Sequence, residues 1–293
     1  MIRQILCAGS LNVDLTFQVP RMPEEHEKLR CGEGGLSCGG SAANTAYWLA
    51  KLGIETRMLG CVGEDMFGAL CIDSLEAVGI DVQLIQRTPK ATTGMAAIFV
   101  NPSSKRMVTS GGANAHFEAG RVSYGVFGPG AHLHVATSLN SVALPLLRMA
   151  RQAGATTSCD LDGGPRQELH TLVDFCLMNR ADLTRWLGFT GFDEARKRLG
   201  SSSHLIVTQG ERGASALSEG AEVFASAFAA QVVDRTGGGD AFDAGFLYAL
   251  AQGSRMATCL RLGLFMAAGV IGGAGARPDT VDLAEPRRLV EVF

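Results

Sequence analysis

The chemistry in this 293-residue chain is concentrated where three consecutive glycines, Gly237, Gly238 and Gly239, run into Asp240. Phe242, Phe246, Leu247 and Leu250 follow at helical spacing, so the glycines form a turn that opens a helix. Unpaired backbone N–H groups at a helix start favour an anion, and glycine lets that anion come close without a side chain in the way. Asp240 stands at the mouth of such a hole. Local sequence leaves two readings open, a carboxylate placed for chemistry or a simple helix cap.

A second stretch has the same flavour. Gly39-Gly40-Ser41-Ala42-Ala43-Asn44-Thr45-Ala46 leads into Tyr47, Trp48 and Leu49 and ends at Lys51-Leu52-Gly53. Ser41 reads as the cap of a helix that Gly53 closes, with Lys51 near its negative end. Asn44 then lies one turn in, close to a backbone that Gly39 and Gly40 leave open to a ligand. Ahead of it, residues 2–8 form an apolar run that reads as a buried first strand, with Asn12 and Asp14 just beyond. In open α/β sheets ligands sit past the carboxyl ends of strands, which makes both residues candidate contacts; turn chemistry is the alternative.

The elements that must position these groups follow a simple rhythm. From about residue 131, strand-like runs at 132–136, 155–160, 175–178 and 204–208 alternate with helix-like stretches such as 144–153 and 192–199, the order of a parallel sheet with helices on both faces. Residues 60–68 read as a glycine-punctuated turn, and 67–78 as a helix stopped by Gly79. Residues 92–100 and 106–110 read as a hairpin around Asn101-Pro102-Ser103-Ser104. That hairpin and the polar, glycine-bearing residues 16–38 do not fit a parallel sheet, and they form a small β-rich flap. The expected architecture is one α/β domain spanning 1–293, its lid made from about 15–38 and 92–112.

Composition excludes several partners. A net charge of -3 provides no basic field for nucleic acid or an anionic membrane, and the uncharged, apolar and glycine-rich run 262–276 falls short of a bilayer span. The apolar part of residues 1–8 is too short for a secretion signal, and the eight cysteines show no Cys-x-x-Cys pair, so reduced thiols and a cytoplasmic location are expected. His132 and His134 share one face of a strand but have no third metal ligand in sight. No Gly-Lys dipeptide exists, hence no Walker A loop; Gly9-Ser10-Leu11-Asn12 is not a dinucleotide fingerprint, and no His-Arg-Asp set is present.

With those phosphate devices absent, the pairing of residues 39–44 with 234–240 resembles the ribokinase-like, or PfkB, family of carbohydrate and nucleoside kinases. Gly111-Gly112-Ala113-Asn114, Asn179-Arg180-Ala181-Asp182 and Val207-Thr208-Gln209-Gly210-Glu211-Arg212-Gly213-Ala214 extend the resemblance over essentially the whole chain. It implies a three-layer sandwich with a mostly parallel central sheet and a β-rich lid. It also implies ATP-dependent transfer of the γ-phosphoryl group to a hydroxyl of a small sugar, with Mg²⁺. Asp240 would be the general base and Gly237, Gly238 and Gly239 the anion hole. Asn12, Asp14, Gly39, Gly40 and Asn44 resemble the sugar contacts; Asn179, Thr208, Gly210 and Gly213 resemble the nucleotide side. Asp182 corresponds to a residue linked to Mg²⁺, and Asp234, Thr236 and Gly275 to a site for a monovalent cation such as K⁺.

Departures sharpen the expectation. Asp182 is one methylene shorter than the family's Glu, Ser41 replaces the Lys of ribokinases proper, and Arg235 stands where a neutral residue is usual. Arg166 occupies loosely the place of a substrate contact in sugar-acid kinases. A nucleoside kinase is the nearest alternative, favoured if Phe17 or Phe99 clamps a base. A catalytically silent sensor on the same fold is a further alternative. Arg30, Lys105 and Arg106 fall in the flap segments, and the exposed flap offers an edge for a homodimer.

Overall fold

Along β1 (Gln4–Ala8), Ile5 and Cys7 belong to one apolar core while Leu6 and Ala8 belong to another. A strand buried on both faces is what a parallel sheet with helices on either side requires. The computed structural model describes residues 1–101, 104–136, 140–160, 172–187, 194–195, 203–218 and 220–291. Within them, β1 is followed by β2 (Asn12–Gln18), β3 (Gly34–Gly39), α1 (Ser41–Leu52), β4 (Glu55–Gly63), α2 (Met66–Glu76), β5 (Ile85–Thr88), β6 (Gly94–Asn101) and β7 (Ser104–Ser110). Short 3₁₀ turns then lead to β8 (Ala131–Ala136), α3 (Asn140–Gln152), β9 (Thr156–Asp160), β10 (Phe175–Asn179), α4 (Arg180–Leu187) and β11 (His204–Thr208). The chain closes with β12 (Gly213–Ser218), β13 (Ala221–Ser226), α5 (Gly238–Ala251), α6 (Met256–Ile271) and α7 (Ala284–Glu291). Of the helix expected at 192–199 only residues 194–195, both helical, are described, and the segment carrying Arg166 lies outside the described residues.

Nine strands form the central sheet in the order β13-β12-β11-β10-β9-β8-β1-β4-β5. It is parallel from β11 to β5, and β12 and β13 add an antiparallel edge. Helices α1, α2, α5 and α6 pack with the core on one face, and α3 and α4 with the core on the other. The strand order reverses at β1, between β8 and β4, which opens a crevice at the carboxyl end of β1. Gly9 stands at that point because a Cβ there would meet Ala42 Cβ at 2.6 Å. The lid is a separate four-stranded sheet, β3-β2-β6-β7, rising from the same end of β1.

Local readings needed correction in three places. Ser41 is not the cap of α1: Gly40 takes that position with φ 98, and no side chain caps the helix. Asp240 does not cap α5 either, since Gly237 sits at the N-cap with φ 75 and Asp240 falls within the first turn. Finally, Gly60 and Gly63, expected in a turn, belong to β4. Gly60 is there for close approach, because a Cβ would lie 2.2 Å from Leu11 Cδ1 and 2.8 Å from the Gly9 carbonyl. The real turn after it is capped by Asp65, which accepts from Gly68 N at 2.8 Å, from Thr93 N at 2.7 Å and from Thr93 Oγ1 at 2.7 Å.

Candidate active site

The N-terminus of α5 is the centre of the site. Gly237 turns the chain in the left-handed region, and a Cβ on it would strike Ala276 Cβ at 2.6 Å. Gly239 differs, with nothing within 4 Å of a built Cβ. Gly238 and Gly239 line one end of a cavity of about 610 Å³ whose other walls include Thr208, Gly210, Gly213, Phe228 and Phe242. The first N–H groups of a helix have no intrahelical acceptor, so a glycine start that opens into a cavity suits an anion. Three of the residues expected on the nucleotide side, Thr208, Gly210 and Gly213, therefore share one cavity with the expected anion hole.

Asp240 faces α1. Asn44 Nδ2 donates to Asp240 Oδ2 at 2.7 Å, and Thr45 Oγ1 donates to the Asp240 carbonyl at 3.3 Å. On the far side of Asn44, Arg277 Nε donates to Asn44 Oδ1 at 2.9 Å. Arginine only donates and an ionised carboxylate only accepts, so these two neighbours fix which way the Asn44 amide points. Arg277 is held in turn by Ser74 Oγ at 3.4 Å and lies 5.0 Å from the Tyr47 ring centroid. Burial lowers its pKa, opposed by the thiols of Cys38 and Cys71, Tyr47 and Asp240. Trp48 Nε1 secures the backbone beside it by donating to the Ala276 carbonyl at 3.1 Å.

The strand-end residues converge on the same place. Asn12 Oδ1 accepts from Asn114 Nδ2 at 2.8 Å, and Asn114 Oδ1 accepts from Leu11 N at 2.9 Å, tying the start of β2 to the turn after β7. Asp14, two residues on, shares the Asn12 face of the strand. Burial raises the Asp14 carboxyl above its ordinary pKa, against the opposing pull of Arg277 and Lys105. Gly39 is required beside it, since a Cβ would lie 2.4 Å from Asp14 Oδ2. Gly40 is required by its backbone and by the Ser10 carbonyl, 2.3 Å from a built Cβ. Phe17 and Phe99 stack on each other at 5.7 Å, but strand alternation puts them on the face opposite Asn12 and Asp14.

Asn179 and Asp182 are not among the residues that line the 610 Å³ cavity. Asn179 ends β10 in register with Thr208, yet its side chain turns to Asp182 Oδ2, and Asp182 N returns a bond to Asn179 Oδ1 at 2.9 Å. Arg185 Nη1 takes Asp182 Oδ1 at 2.6 Å, and Asp182 is 4% exposed. A carboxylate so engaged is poorly placed to ligate a metal directly. Among the described residues no group of three or more His, Cys, Asp or Glu could hold a metal ion. His132 and His134 are core residues: His132 bonds Thr156 Oγ1 at 2.8 Å and Ser158 Oγ at 2.7 Å, and burial pushes both imidazoles down to about 3.

Asp234, Thr236 and Gly275 are also brought together. Asp234 Oδ1 accepts from Thr236 N at 3.0 Å and Thr236 Oγ1 at 2.6 Å, while Asp234 Oδ2 accepts from Gly275 N at 3.1 Å. Lys105 Nζ, arriving from β7, reaches Asp234 Oδ1 at 2.9 Å and contacts Thr236 Oγ1 as well. Burial works to raise the Asp234 pKa, but the Thr236 and Lys105 hydrogen bonds hold it below the usual carboxylate value. Arg235 reaches Glu211 at 3.3 Å instead, an exposed pair that lines the same cavity as Thr208, Gly238 and Gly239. Sequence reasoning assigned no role to Arg277 and could not place Lys105. The sequence carries one signal for Arg277: it is the first charge after the uncharged run that ends at residue 276.

Comparison with known proteins decides the lineage. The profile of the pfkB family carbohydrate kinases matches residues 2–282. The chain belongs to the PfkB family. It is 29% identical to a deoxyribokinase of Salmonella typhi over 93% of this chain and 94% of that protein. It is 25% identical to a nucleoside kinase of Methanocaldococcus jannaschii over 95% and 93%. Its fold matches that of an Arabidopsis thaliana ribokinase solved with ribose and ATP, with a TM-score of 0.85, 24% identity and coverage of 99% of both chains. This PfkB kinase is a phosphotransferase with an alcohol acceptor, a kinase of the sugar or nucleoside group. No helix among the described residues is long and apolar enough to cross a membrane.

Proposed function

We propose that this kinase transfers the γ-phosphoryl group of ATP to a hydroxyl of a small sugar, with Asp240 as general base and residues 237–239 as the anion hole. The observation that carries the reading is the position of Asp240. Its carboxylate touches Asn44 of the polyol-facing wall, while its own helix opens through Gly238 and Gly239 into the nucleotide-sized cavity. The acceptor hydroxyl oxygen attacks the γ-phosphorus, the bond to the β,γ-bridging oxygen breaks, ADP departs and the hydroxyl proton passes to Asp240. A carboxylate of ordinary basicity suffices because the hydroxyl becomes acidic only as the new bond forms. The N–H groups of the glycine turn face the charge that develops on the phosphoryl oxygens.

Mg²⁺, when bound, supplies charge neutralisation on the phosphates. The engaged carboxylate of Asp182 suits a supporting place behind Asn179 better than direct ligation, and Mg²⁺ commonly keeps several waters. The lid, built from about 15–38 and 92–112, would close over a sugar held at Asn12 and Asp14, which stand at the start of β2 where the lid begins. Two observations favour a sugar over a nucleoside. The polar set Asn12, Asp14 and Asn44 suits a polyol, and the Phe17–Phe99 stack lies on the wrong lid face to clamp a base. An ADP-release screen with Mg²⁺-ATP over sugars, sugar acids, phosphosugars and nucleosides tests this. Turnover with pentoses or hexoses is expected; turnover confined to nucleosides would replace the sugar reading, and silence over the whole panel would favour a sensor.

A further inference from the structure

Three groups outside the proton-transfer path hold the glycine turn in shape: the Asp234 carboxylate, the Thr236 hydroxyl and the Gly275 amide. The resemblance assigns this cluster to a monovalent cation. In the structure its centre of positive charge is a side chain of the lid. Lys105 lies on β7 in register with Val100, which pairs with Gln18, so strand alternation puts it on the lid face that carries Asn12 and Asp14. From there its ammonium reaches Asp234 Oδ1 at 2.9 Å and Thr236 Oγ1. That carboxylate oxygen thus receives two donors from Thr236 and one from Lys105. An ammonium carries the charge of K⁺ and has three donors, so from the side-chain oxygens of Asp234 and Thr236 it can supply the charge that the resemblance gives to a cation on the carbonyl oxygens of the same two residues.

We propose that Lys105 supplies the positive charge of this cluster, so that phosphoryl transfer proceeds without a monovalent cation and the anion hole is completed by the lid itself. The proposal rests on the reading of residues 237–239 as the anion hole. It has a mechanical consequence. Thr236 is covalently joined to Gly237, so a lid that carries Lys105 away on opening also releases the turn that must hold the γ-phosphoryl group. Substrate enclosure and the assembly of the hole become one event, and hydrolysis of ATP at an open, sugar-free site is disfavoured.

The test compares wild type, Lys105→Met and Gly239→Ala in potassium chloride and in tetramethylammonium chloride at equal ionic strength, following both ADP release and thermal unfolding. For the wild type, ADP release changes by less than about twofold between the salts and K⁺ produces no saturable rise in Tm. Lys105→Met loses about tenfold in the K⁺-free buffer, and K⁺ then restores turnover and raises Tm saturably. Saturable K⁺ activation of the wild type would overturn the proposal. So would a Lys105→Met protein that keeps wild-type turnover without K⁺, or that K⁺ fails to restore. Gly239→Ala separates the two levels: if it folds and keeps wild-type turnover, the anion-hole reading itself is at fault, whereas if it folds and its turnover falls any failure belongs to Lys105 alone.

Discussion

Two helix starts in this chain look alike on paper and behave differently in the fold. Gly39 and Gly40 lead into α1; Gly237, Gly238 and Gly239 lead into α5. In the first pair, both built Cβ atoms collide with protein, Asp14 Oδ2 at 2.4 Å for Gly39 and the Ser10 carbonyl at 2.3 Å for Gly40. In the second set Gly237 is likewise packed against Ala276, but Gly239 meets nothing within 4 Å. Glycine is thus serving two ends. At α1 it lets the helix close down on the strand ends and shape a wall, whereas at Gly239 it keeps a path open for something that is not protein.

That contrast is sharp enough to break. The largest effect belongs to Gly40→Ala, where a side chain would be forced both into the left-handed region and onto the Ser10 carbonyl. Unfolding in urea should show a loss of about 3 kcal/mol or more, with activity falling because the fold does. Gly239→Ala should do the reverse. Its helix position favours Ala over Gly by up to about 1 kcal/mol, so stability should hold or rise. Turnover should nonetheless drop roughly 10²-fold as the methyl group enters the anion's place. Equal stability losses in the two variants would mean that both glycines serve packing alone.

A smaller effect is expected at Arg277, which touches neither glycine set but joins them through Asn44. Arg277→Gln can still bond Asn44 yet removes the positive charge near Asp240. We expect kcat to fall by about tenfold, KM for the sugar to change little, and the acid limb of the kcat–pH profile to move to higher pH, since a nearby cation favours the ionised carboxylate. An unshifted limb would reduce Arg277 to a packing residue.

What could be read beforehand was whatever lay close in sequence. Asp240 and its glycines are consecutive, the Asn44 helix starts beside its own glycines, and the β-then-α order from residue 131 fixed the parallel sheet. Strand β4 escaped notice because Gly60 and Gly63 look like turn residues, and only the approach of Leu11 and Gly9 explains Gly60 within a strand. The caps were misjudged for a related reason: at both helix starts the backbone needs a positive φ at the N-cap, so glycine takes the position that Ser41 or Asp240 would otherwise fill. Arg277 and Lys105 were beyond local reading altogether. Their partners lie 233 residues away at Asn44 and 129 away at Asp234, and nothing in spacing or composition encodes those contacts.

The central claim is that Asp240 takes the proton from the attacking hydroxyl, and Asp240→Asn tests it most directly. The change keeps the shape of the side chain and removes its basicity. Calorimetry should show ATP and sugar binding close to wild type, while the rate of ADP release falls by about 10³-fold or more. An Asp240→Asn protein that binds both ligands and turns over at the wild-type rate would contradict the account.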